Sequence, residues 1–139
     1  MRIIGIDYGD ARVGIAVSDE TGFLASAVCT LNVTGMRDAV KKSAEKIKEL
    51  DGTKIVLGLP VNMDGSLSFR ADKSKAFAEM IAAQTGLEVV FVDERLSTVE
   101  AYTYLNITEF NGKKRREIID ALSAQIILQS YLDKERNKG

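Results

Sequence analysis

Three acidic positions stand out by their surroundings. Asp7 closes the apolar stretch Ile3-Ile4-Gly5-Ile6, and Asp93-Glu94 follow the equally apolar Val89-Val90-Phe91-Val92. Asp120 shares a helical face with Ala124, Ile127 and Tyr131, at spacings of four, seven and eleven; that is a core-side stripe, an unusual place for an acid. Burying a carboxylate is costly unless a cation or a set of N–H groups meets it. Taken singly, each acid has a plain structural role: Asp7 can cap its own turn, Asp93-Glu94 suit a helix entry, and Asp120 can pair with Arg116 one turn back. Taken together, carboxylates at two strand ends and one helix face can cage a hard divalent cation. Alternation along a strand sends Asp93 and Glu94 to opposite faces, so at most one of them points at a shared site.

The absences narrow the chemistry. The chain has no histidine and one cysteine, Cys29. Histidine is therefore excluded as a general base, and almost nothing is left for a structural zinc site. Ser97 and Thr98 have no histidine to activate them, and Ser97-Thr98-Val99-Glu100 reads better as a capping box. Hydrolysis falls to carboxylates, lysines, hydroxyls or an oxygen-bound ion such as Mg²⁺. Cys29 cannot form an intrachain disulfide; it reads as a small buried residue, and a reducing cytoplasm fits.

A net charge of -1 gives no global attraction to nucleic acid, so such a role needs local basic clustering. Arg12, Arg70, Lys73, Lys75, Arg95 and the run Lys113-Lys114-Arg115-Arg116 supply candidates. A charge run is usually a solvated face, but this one immediately precedes Asp120, where it can meet a phosphate backbone. The loop Gly58-Leu59-Pro60-Val61-Asn62-Met63-Asp64-Gly65-Ser66 follows a strand and precedes a helix. Its N–H groups could meet a phosphate, although it lacks the P-loop pattern and also reads as an ordinary turn. An aromatic content of 6%, without tryptophan, argues against a stacking platform for single strands.

The elements that must position these residues follow from the periodicities. Arg2–Ile6 and Val13–Val17 read as a hairpin, and Phe23 to about Leu31 as a third antiparallel strand. Met36, Val40, Ala44, Ile47 and Leu50 mark a helix closed by Asp51-Gly52. Ile55–Leu59 is a fourth strand. A second helix carries Phe69, Ala76, Phe77, Met80 and Ile81 and ends before Gly86, and Val89–Val92 is a fifth strand. A helix starts at Ser97, and a last one runs from about Arg115 to Lys134. Strands one, four and five are apolar throughout, as sheet-centre strands should be. The order predicts an α/β fold: a mixed five-stranded sheet, three antiparallel strands and then parallel ones, with helices on both faces. That is the plan of the ribonuclease H-like fold. With 139 residues, 45% hydrophobic and 28% charged, the chain suits one domain over 1–139. No apolar run approaches the roughly 18–20 residues that span a bilayer, no separate leader is read ahead of the first strand, and no membrane partner is expected.

The stretches GIDYGDARVGIAVSD, GLPVNMDGS, VDERLSTVEA and KKRREIIDALSAQIILQSYL resemble, in this order, the four motifs of the YqgF/RuvX family. The resemblance runs nearly end to end. It implies a RuvC-related nuclease of ribonuclease H-like fold, acting in 5′-end maturation of pre-16S ribosomal RNA or as a Holliday junction resolvase. It places the catalytic and metal-binding acids at Asp7, Glu94 and Asp120, with Mg²⁺ or Mn²⁺, two ions in the two-metal scheme. Gly14 of the second strand matches the family as well. The resemblance also covers Gly9 and Arg12 in the first turn and Asn62, Asp64 and Gly65 in the loop. With Arg70, Arg95, Lys114 and Arg115 these form the expected nucleic-acid contacts. RNA is the favoured partner and junction DNA the alternative; monomer and homodimer both fit. The chain departs from the family pattern at Ser68-Phe69, at Lys75, and at Ser123-Ala124, where the family often has Ala-Ala. The opening strand–turn–strand also resembles sugar kinases and actin-like ATPases, whose second lobe 139 residues are too few to build. A non-catalytic RNA-binding assembly module is the third reading.

Overall fold

A computed structural model describes residues 2–60, 70–93 and 112–138, the last segment with its side chains from 118 to 137. Its strands are β1 (Arg2–Tyr8), β2 (Arg12–Ser18), β3 (Ala25–Asn32), β4 (Gly52–Leu59) and β5 (Val89–Asp93). Its helices are α1 (Met36–Glu49), α2 (Ala71–Thr85) and α3 (Gly112–Lys138). The sheet order is β3-β2-β1-β4-β5. β2 pairs antiparallel with β1 and β3, while β4 runs parallel to β1 and to β5, as the sequence predicts. The helix expected from Ser97 lies outside the described residues, as does Phe69.

Alternation divides the side chains between two cores. Ile4, Ile6, Tyr8, Val13, Ile15 and Val17 face α1 and α2, where they meet Val40, Ile47, Phe77 and Ile81. Ile3, Ala16, Val56 and Val92 face α3 and pack on Ala124, Ile127, Leu128 and Tyr131. Each fully buried aliphatic side chain contributes about 1.5–3 kcal/mol.

Glycine sets how close α3 lies. A Cβ on Gly5 would stand 2.7 Å from Leu128 Cβ and 2.8 Å from the Ala124 carbonyl oxygen. A Cβ on Gly14 would stand 1.9 Å from the Asp120 carbonyl oxygen. Polar contacts then fix the helix along the sheet: Ala25 N–H donates to Gln129 Oε1 at 2.8 Å, and Gln125 Nε2 donates to the Ala25 carbonyl at 3.2 Å.

Five expectations need correction. β5 lies at the sheet edge among the described residues rather than at its centre, and Phe91 is 40% exposed; β2 takes the third central place. An apolar strand of five residues signals burial without saying how many neighbours it has. On α2, Phe77 and Ile81 are buried as expected, but Ala76 and Met80 are exposed; the buried stripe is Ser74, Phe77, Ala78 and Ile81. The left-handed residue after α1 is Asp51, at φ 56°, whereas Gly52 already belongs to β4. There a side chain would strike Ile4 Cγ1 at 2.5 Å. Phe23 and Leu24 belong to an exposed turn ahead of β3, held by Asp19, and Cys29 is only partly buried.

Candidate active site

β1 continues one residue past Asp7, to Tyr8. With Ile4, Ile6 and Tyr8 committed to the other core, alternation puts Asp7 on the α3 face. Its register partner across the antiparallel ladder is Gly14. Gly14 lies directly beneath the Asp120 carbonyl, so the two acids approach each other through the one position in β2 that has no side chain. Arg12, two residues before Gly14, shares that face and donates Nε–H to Asp120 Oδ2 at 2.6 Å.

These groups line one cavity of about 270 Å³, among them Asp7, Gly9, Arg12, Arg70, Asp120 and Ser123. Arg70 enters from the position immediately before α2, its N-cap. Gly9 makes the turn tight, since a Cβ there would meet the Arg12 carbonyl at 2.8 Å. Lys73 of α2 holds the turn from outside through Asp10, at 3.2 Å. Tyr8 stacks on Phe77 at 4.7 Å between centroids, beneath the turn. Burial pushes the Tyr8 phenol up, with the Asp10 charge adding to this and Lys73 opposing it.

The electrostatics at Asp120 are set by burial first. Burial raises its carboxyl above the usual carboxylate range, and the hydrogen bond and charge of Arg12 pull it back only in part. The two acidic side chains present only oxygen donors, the set that suits Mg²⁺ or Mn²⁺ rather than zinc or copper. One turn along α3 from Asp120, the buried Ser123 hydroxyl lines the same cavity and finds no hydrogen-bond partner among the described residues. Buried hydroxyls are ordinarily hydrogen-bonded, so this one is available to a polar group that enters the cavity. The residues present fit a hard divalent ion.

Of the acids anticipated from sequence, the structure brings together Asp7 and Asp120. Asp93 follows Val92, which is committed to the α3 side, so alternation turns Asp93 to the opposite face. Glu94 lies outside the described residues, as do Asn62, Asp64, Gly65 and Arg95. Lys114 and Arg115 fall in the first turn of α3, with side chains outside the described set. Among the described residues no three metal-ligating side chains cluster. Two contributors escaped sequence reasoning: Ser123, visible only as a departure from a pattern, and the Arg12–Asp120 pair, whose partners lie 108 positions apart.

The five-stranded sheet with an acid near the end of β1 and a second on the helix packed over it defines a protein of ribonuclease H-like fold. Two solved structures share that fold at 13% identity. Thermus thermophilus RuvC in complex with a Holliday junction substrate gives a TM-score of 0.60, covering 98% of this chain and 96% of that one. The fowlpox virus resolvase with Holliday junction DNA gives 0.62, covering 97% and 99%. In sequence, a Clostridioides difficile (strain 630) protein named "Putative pre-16S rRNA nuclease" is 45% identical over 132 residues, 95% of this chain and 94% of that protein. The RuvX family, described as Holliday junction resolvase, matches residues 1–134, and the chain belongs to this family of nucleases.

Proposed function

We propose that this chain is a metal-dependent nuclease of one domain, 1–139, that cleaves phosphodiester bonds in 5′-end maturation of pre-16S ribosomal RNA in the cytoplasm. The observation that carries the reading is the convergence of Asp7 and Asp120 on one cavity beside two arginines, Arg12 and Arg70. Asp7, Asp120 and Glu94 hold Mg²⁺ or Mn²⁺, and two ions suit the reaction. When bound, such ions lower the pKa of an attacking water and stabilise charge on the leaving oxygen.

The side chains have separate tasks. The paired carboxylates supply negative charge on a rigid strand and a helix face, so the ligand geometry costs little reorganisation on binding. Arg12 and Arg70 present planar guanidinium groups suited to phosphate oxygens. Gly9 keeps the turn low, leaving room for a backbone to approach. Asn62, Asp64, Gly65, Arg95, Lys114 and Arg115 extend the contact with the nucleic acid, whose sequence such phosphate contacts do not read.

RNA is favoured by the name borne by a relative at 45% identity. The second reading, resolution of four-way DNA junctions, is favoured by the family description. It needs two symmetric cuts and hence a two-fold dimer. The two are separated by offering a precursor ribosomal RNA and a four-way junction at equal salt, with light scattering recording the oligomeric state. Cleavage of the RNA is expected. Paired junction cuts by a stable dimer, with the RNA left intact, overturn the RNA assignment in favour of resolution.

A further inference from the structure

Arg12 holds one of the two oxygens that a metal ion would need. Its backbone is fixed at the start of β2, opposite Asn32 of β3, so only the side chain can move. That side chain is 35% exposed, against 18% for Asp120, so the guanidinium has a water-facing route out of the pair and the carboxylate does not. A guanidinium keeps its charge at any pH the fold survives. A positive charge within hydrogen-bond distance of Asp120 therefore opposes the arrival of a second cation at the same carboxylate, and removing either relieves the other.

We infer that Arg12 is a placeholder cation: it neutralises Asp120 until a divalent ion binds, and the ion displaces it toward the substrate phosphate in the same 270 Å³ cavity. The inference rests on the nuclease reading. It makes metal binding and phosphate contact parts of one exchange, because the group released by the first is the group that serves the second. By linkage, whatever pulls Arg12 away from Asp120 also tightens the metal.

The test is Mn²⁺ binding without nucleic acid, followed by the electron paramagnetic resonance signal of free Mn²⁺. Wild type, R12Q, R12A, R12K and D7N are compared, each with its melting curve. The two uncharged variants should bind Mn²⁺ tighter than wild type, on the order of tenfold, because a cation beside the site has gone. R12K, which keeps the charge, should stay near wild type, and D7N should lose the site. A merely structural Arg12 would lower the affinity on removal or leave it unchanged. Mn²⁺ binding through Asp7 with R12Q and R12A no tighter than wild type overturns this inference alone. Mn²⁺ binding by none of wild type, R12Q and R12A, in proteins that melt cooperatively, overturns the nuclease reading and the inference together.

Discussion

Gly14 of β2 lies beneath Asp120 of α3, whose carbonyl oxygen stands 1.9 Å from where a Gly14 Cβ would be. Gly14 is also the register partner of Asp7. The absence of one side chain thus lets the helix down onto the sheet and brings the two acids into one cavity. Stability and site geometry depend on the same contact.

Replacing Gly14 should therefore harm both. Gly14→Ala drives a methyl into helix backbone, which cannot rotate away as a side chain can. Overpacking of this kind costs about 1–3 kcal/mol. Urea denaturation should show that loss, together with weaker Mn²⁺ binding as Asp120 is lifted from Asp7. Wild-type stability in the Gly14→Ala variant would mean that α3 does not sit on β2 as described.

Asp120→Asn should separate stability from activity. Burial raises the Asp120 carboxyl above its unfolded value, and Arg12 offsets this only in part. A carboxyl raised on folding costs stability above its folded pKa and nothing below its unfolded one. At pH 7 the variant should melt at or above the wild-type temperature while cleavage is lost. Functional sites commonly trade stability in this way. The melting advantage should shrink as pH falls through the raised folded value and be gone below the unfolded value of about 3.9, where the wild-type carboxyl is protonated in both states.

Asp19 gives the opposite sign. It accepts hydrogen bonds from the Phe23 N–H and the Thr21 hydroxyl, both at 2.9 Å, and these hold its carboxyl below the usual range. Its contribution is present above the unfolded value of about 3.9 and is lost as pH falls through the lower folded value. Melting temperatures of wild type and Asp19→Asn should differ at about pH 6 and converge as the pH falls through the lowered folded value. A constant difference across that range would show that the charge is not what holds the turn.

Leu128 is fully buried where α3 crosses Gly5, and Leu128→Ala should cost about 2–5 kcal/mol by chemical denaturation. A loss well below about 1 kcal/mol would place that helix face against water rather than against the sheet.

What sequence could and could not convey follows from the range of each signal. Strands β1, β2 and β4, helix α1 and the Gly86 end of α2, at φ 72°, are written in local periodicity and turn chemistry. The inward stripe of Asp120, Ala124, Ile127 and Tyr131 was legible because the helical period alone defines it. The edge position of β5 was not, since an apolar run reports burial and not neighbours. Met80 misled for a related reason: it lies one position from Ile81, and only the packing of α2 on the sheet decides where the buried stripe ends. The Arg12–Asp120 pair and the docking role of Gly5 and Gly14 exist only once residues far apart in the chain meet, and no local pattern encodes them.

The central claim is that Asp7 and its neighbours hydrolyse phosphodiesters with a divalent ion. The most direct measurement is the turnover of a 5′-extended 16S precursor RNA at saturating Mg²⁺ by wild type and by Asp7→Asn, with folding checked by melting. Cleavage by the wild type that disappears with EDTA and with the substitution, in a protein that melts cooperatively near the wild-type temperature, is the expected result. Wild-type turnover by the Asp7→Asn variant would contradict it.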